Sequence, residues 1–87
     1  MTQESQELRE ISEELDRVVE DDTVPQNIRN SIEDAQEHLL NEDVEVSERA
    51  ASAINVLNDI SNDRNLPMYA RTLIWNISSR LETLTME

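Results

Sequence analysis

His38 is the single histidine of the chain, with Asp34 and Glu42 four residues to either side. On a helix the three share a face, where an imidazole between two carboxylates could hold a metal weakly. A catalytic or structural metal centre needs further ligands converging from other elements, and the chain offers no second histidine and no cysteine. The simpler expectation is a solvated histidine beside acids. Carboxylates are abundant, 20 Asp and Glu against 7 basic residues. Paired-carboxylate catalysis, however, needs acids in a pocket that alters their proton affinity, and here the acids lie opposite the apolar stripes. The serines have neither a nucleophile elbow nor a plausible base. No enzyme activity and no cofactor are expected.

Arg29 and Arg71 carry a sharper pattern. Asp21, Pro25 and Arg29 recur as Asp63, Pro67 and Arg71 at equal spacing. A guanidinium makes several fixed hydrogen bonds, so each arginine is expected to tie the turn acid and nearby carbonyls into a clamp. Partner binding by the same arginines is the functional alternative. Met68, Tyr69, Leu73 and Trp75 form a second group. They fall outside the main apolar stripe of the last helix, where large side chains either close the edge of a core or anchor an interface.

Four helices must position these groups. The first is expected at about 4–20, with Leu8, Ile11, Leu15 and Val18 inward and Val19 widening the stripe. The second, about 24–40, carries Ile28, Ile32, Ala35 and Leu39, with Leu40 at its edge. Thr23 is expected to cap it through its hydroxyl, with Pro25 in the first turn. The third, about 47–62, turns Ala50, Ala53, Leu57 and Ile60 inward, with Ile54 and Val56 beside them. Its small alanines favour close approach of another helix, Asp43 or Ser47 is expected to cap it, and Val44 and Val46 should fold onto the core. The last begins at Leu66-Pro67, with Asn65 in the capping role of Thr23, and runs to about 84. Its inner stripe is Ala70, Ile74, Ile77, Leu81 and Leu84, and residues 85–87 should fray.

A shift of 42 residues superposes the halves: Leu15 on Leu57, Asp21 on Asp63, Pro25 on Pro67, Arg29 on Arg71, Ile32 on Ile74 and Leu39 on Leu81. Each half therefore reads as one helical hairpin, about 4–41 and about 46–85, within a single domain over 1–87. A lone hairpin cannot cover its own apolar stripe. The expected fold is all-α, an antiparallel four-helix bundle with up-down topology. The turn order of acid, proline, apolar residue and arginine also resembles HEAT repeats, which would leave the helix pairs open. In this chain the proline-to-arginine spacing is one residue longer than that pattern usually has, and a solenoid usually needs three or more units.

Composition excludes several function classes. The net charge of −13 opposes direct binding to nucleic acid or anionic lipid. Zero glycines argue against phosphate-cradling loops. No apolar run approaches a membrane span, the N-terminus is polar and acidic, and the expected location is the cytoplasm. All seven bases are arginine. Loss of lysine beside retained arginine looks like the surface of proteins from organisms that keep molar salt in the cytoplasm, where screening over ~3 Å mutes carboxylate repulsion. A salt-in halophile is the expected source, and its protein should melt higher as KCl rises to molar levels.

Leu39-Leu40-Asn41-Glu42-Asp43, Arg49-Ala50-Ala51, Ala53-Ile54 and above all Leu66-Pro67-Met68-Tyr69-Ala70-Arg71-Thr72-Leu73-Ile74-Trp75 resemble a family of short archaeal proteins that is uncharacterised. The resemblance spans nearly the whole chain and implies an all-helical, four-helix arrangement. It implies no activity, cofactor or site. The expected role is a small acidic binding or structural module, with a homodimer or a protein partner through the fourth helix. The alternative is an acidic mimic that blocks the basic surface of a nucleic-acid-binding protein.

Overall fold

The computed structural model describes residues 3–85. Its elements are four helices, α1 (Gln3–Val19), α2 (Gln26–Leu40), α3 (Val46–Ser61) and α4 (Met68–Thr85), with no strand among the described residues. Helices adjacent in sequence pack most extensively: α1 on α2, α2 on α3 and α3 on α4. Contact of α1 with α4 and with α3 is much sparser. The radius of gyration is 12.1 Å, matching the ~12 Å expected for a globule of this length.

The apolar stripes meet in one core. Leu8, Ile11, Leu15, Ile32, Leu39, Leu57, Ile74, Ile77 and Leu81 are wholly buried, and Val24 and Leu66 add to them from the turns. Val46 packs against this core, whereas Val44 remains half-buried outside it. Ala35 on α2 and Ala50 and Ala53 on α3 are also fully buried, and α2 and α3 are the pair that packs most extensively. Fully burying one large aliphatic side chain contributes ~1.5–3 kcal/mol, which makes this core the main source of stability.

The helix ends differ from the sequence expectations. Pro25 sits just before α2 with φ −54° and ψ 145°, and its carbonyl accepts from the N–H groups of Ile28 and Arg29, both at 3.1 Å. Thr23 does not cap α2, because its hydroxyl donates to Asp21 Oδ1 at 2.6 Å. Glu45 precedes α3 without a side-chain cap, so neither Asp43 nor Ser47 takes that role. Asn65 joins the turn through its backbone N–H, which donates to Asp63 Oδ1 at 2.8 Å. In the first turn the Asp21 carboxylate has claimed the hydroxyl that would otherwise serve the next helix. Thr85 closes α4, its hydroxyl donating to the Glu82 carbonyl at 2.8 Å; Met86 and Glu87 lie outside the described residues.

Candidate functional site

All three interhelix turns share one construction. Each opens on Asp or Asn, at Asp21, Asn41 and Asp63. In each, the Oδ1 atom accepts the backbone N–H two residues on, from Thr23 (2.8 Å), Asp43 (3.1 Å) and Asn65 (2.8 Å). The residue three positions on then donates its N–H back to the opening carbonyl: Val24 to Asp21, Val44 to Asn41 and Leu66 to Asp63. Such Asx turns satisfy backbone groups that the ended helix leaves over.

An arginine eight residues after each opening residue completes the turn. Arg29 Nε donates to the Val24 carbonyl at 3.0 Å, and Arg49 Nε to the Val44 carbonyl at 2.7 Å. Arg71 reaches further back, from Nε to the Ser61 carbonyl (3.1 Å) and from Nη2 to the Asp63 carbonyl (2.8 Å). The expected clamp is thus made to carbonyls. The opening carboxylates are occupied by the Asx turn, and the one acidic contact of Arg29 goes to Asp22 at 3.8 Å. Asp22 is fully exposed, so that pair contributes little.

The central turn, Asn41 to Arg49, is a third member of this set beyond the two that the acid and proline pattern predicts. Its signal was present: an Asx residue, an apolar residue three on and an arginine eight on. The absent proline and the amide in place of an acid hid it. Arg49 is the most buried of the three arginines, 6% exposed, and also bonds the Leu39 carbonyl (3.5 Å) and Ser5 Oγ (3.4 Å). A groove of ≈510 Å³ opens beside it, lined by Glu4, Glu42, Asp43 and Glu45 among others.

The seam between α1 and α4 is polar. Tyr69 donates its hydroxyl to Asp21 Oδ2, and the Arg17 guanidinium lies over the Tyr69 ring, 4.9 Å from its centre. Further along, Arg80 Nη1 makes a two-oxygen contact with Glu14, at 3.1 and 2.9 Å. The Thr23 hydroxyl and then the Tyr69 hydroxyl, both donating to its carboxylate, hold Asp21 below the usual range of an aspartate. Burial first, and then the hydrogen bond to Asp21, pushes the Tyr69 phenol up.

His38 lies 3.8 Å from Asp34, both exposed, while Glu42 turns to Arg9 at 3.7 Å. The proposed trio therefore does not converge. No group of three potential ligands could hold a metal ion among the described residues.

Met68, Tyr69, Leu73 and Trp75 do not form one surface. Tyr69 and Leu73 turn inward and pack against the core. Met68 and Trp75 remain exposed at 69% and 56%. Seven residues apart, they stand two turns from each other on one outward face. Trp75 also lines a groove of ≈490 Å³ with Ser61, Asn62, Arg64 and Arg71. Outward on α1 to α3 stand acids: Glu10, Glu13 and Asp16; Glu33, Asp34 and Glu37; Glu48 and Asp59. Outward on α4 stand Met68, Thr72, Trp75, Asn76 and Ser79, with no acid between Asp63 and Glu82.

No helix among the described residues is long and apolar enough to cross a membrane. A UPF0147 protein of Archaeoglobus fulgidus is 52% identical over 80 residues, covering 92% of this chain and 91% of that protein. A UPF0147 protein of Methanosarcina acetivorans is 48% identical over 80 residues, covering 92% of this chain and 82% of its own. The crystal structure of MMP1188, a protein of unknown function, superposes with a TM-score of 0.82 at 50% identity, over 87% of this chain and 86% of that one. The pattern of the uncharacterised protein family UPF0147 matches residues 1–84, and the chain belongs to that family.

Proposed function

We propose that the protein is a non-enzymatic, cytoplasmic docking module that engages another protein chain through the outward face of α4. One observation carries this reading: Trp75, the single tryptophan, is 56% exposed on the one helix face that bears almost no charge. Tryptophan is the residue most enriched at the energetic centres of interfaces. The scaffold behind it reads as a closed antiparallel four-helix bundle made of two hairpins. Support comes from the order of contacts: Glu14 meets Arg80 while the later Asp21 meets the earlier Tyr69. In the same sense, Arg9 meets Glu42 while the later Ser12 meets the earlier Gln36. Sparse α1–α3 contact speaks against the HEAT-like alternative, in which those helices would stack.

The experiment is affinity capture from native lysate at high salt, comparing the wild type with Trp75→Ala. A discrete partner retained by the wild type and lost by the variant supports the module. Identical eluates from both remove α4 from consideration. The acidic-mimic reading draws on a different observation, the carboxylates that cover α1, α2 and α3. It requires that basic nucleic-acid-binding proteins be captured and that Trp75→Ala leave them bound. The halophile reading rests on the missing lysines. It requires a melting temperature that climbs with KCl.

A further inference from the structure

We propose that the occupant of this α4 face is a second copy of the chain, packed α4 against α4 in antiparallel sense about a two-fold axis level with Ile77. The proposal rests on the docking reading and names its partner.

Electrostatics select the face. Two bodies of net charge −13 repel wherever their carboxylates meet, and α1, α2 and α3 all present acids outward. From Arg64 to Leu81 the chain has no acid at all, so α4 is where two copies approach with least repulsion. The residues there are also self-complementary. Around an axis level with Ile77, the Trp75 indole falls opposite Ser79 of the second copy, a small exposed residue that leaves it room. Isologous symmetry repeats that contact on the other side of the axis. Arg71 falls opposite Thr83 of the second copy, next to Glu82. Its Nε and Nη2 already serve the Ser61 and Asp63 carbonyls, which leaves Nη1 for an incoming carboxylate. Glu82 is exposed and has no side-chain partner among the described residues.

Size limits the strength. α4 has 18 residues and is ~27 Å long. One face of such a helix covers less than the ~800 Å² per partner of a standard stable complex. The dimer is therefore weak, and it tightens with salt as the Debye length falls from ~10 Å at 0.1 M to ~3 Å at 1 M.

Sedimentation velocity over a concentration series, in dilute buffer and in molar KCl, tests this. The expected result is a monomer in dilute buffer and a monomer–dimer equilibrium in molar KCl. Ser79→Asp places a carboxylate at the centre of each face and should weaken the dimer at least about tenfold. Ser79 is exposed, so an unchanged circular dichroism melt verifies that this variant folds. Ala51→Asp, at an exposed position on α3, should leave the dimer intact. A dimer that survives Ser79→Asp overturns the proposal, and so does one that fails with Ala51→Asp. So does a monomer in every salt. In that case, lysate capture lost with Trp75→Ala rejects the second copy and keeps the docking reading, whereas capture unaffected by Trp75→Ala rejects both.

Discussion

The α2–α3 interface and the α1–α4 seam hold the same four helices together by different means. Between α2 and α3 the contact is broad, and its turn is clamped by a buried arginine. Between α1 and α4 it is sparse, and side-chain oxygens add to the shared core: Tyr69 reaches Asp21 in the turn after α1, and Arg80 reaches Glu14 on α1. Helices joined by a short turn are neighbours by necessity and need only fill volume. The first and last helices are joined by nothing, and directional polar contacts specify how they meet.

Five substitutions would break or sharpen that contrast. Leu57→Ala, in the core of α3, should cost about 2–5 kcal/mol through lost burial and the cavity left behind, read as a fall in the denaturant midpoint. Arg49→Met should come next, at about 1–3 kcal/mol, because the carbonyls of Val44 and Leu39 lose their donor inside the protein. Arg49→Lys should not restore the loss, since an ammonium lacks the fork that spans both carbonyls.

Tyr69→Phe should lower the melting temperature by only a few degrees and shorten amide-exchange protection in α1 and α4 more than in α2 and α3. Equal loss in all four helices would dissolve the distinction between the two regions. Glu14→Gln should have the smallest effect, at most about 1 kcal/mol and vanishing in molar salt, as expected of a half-exposed ion pair.

The seam also has a pH signature. The folded state holds the Asp21 carboxyl below its ordinary value of 3.8. Its stabilisation is therefore complete above that value and is lost as pH falls through the lowered one. The Tyr69 phenol, raised above its ordinary 10.0, works in the opposite sense. Its share is complete below 10.0 and is lost as pH rises through the raised value. Tyr69→Phe should flatten the alkaline arm of a stability–pH profile measured by denaturant titration.

The core was legible because helical periodicity is a strong local signal. The inward positions from Leu8 to Leu84 are buried, whereas the residues placed at the stripe edges are less so: Val19 is half-buried and Leu40 is exposed. The turn clamps were half legible. Proline marks two of them, whereas the turn from Asn41 to Arg49 keeps the spacing without a proline or an opening acid. The destination of each guanidinium was not legible, because a carboxylate and a carbonyl compete for it on geometry alone. Nor was the split within α4. Met68, Tyr69, Leu73 and Trp75 all lie off the inner stripe, yet Tyr69 and Leu73 pack against the core, and Tyr69 meets Asp21 and Arg17 from a part of the chain whose position no local pattern encodes.

The fate of the arginines bears on how such a composition can exist. Arg29, Arg49 and Arg71 hold turn carbonyls, Arg80 and Arg9 hold carboxylates, Arg17 covers an aromatic ring, and only Arg64 has no such contact among the described residues. The positive charge that survives in this lysine-free chain is thus mostly internal scaffolding. Substitution could carry the exterior of α1, α2 and α3 further toward acid without removing any of these contacts, and Arg64 is the one arginine whose exchange would cost the fold none of them.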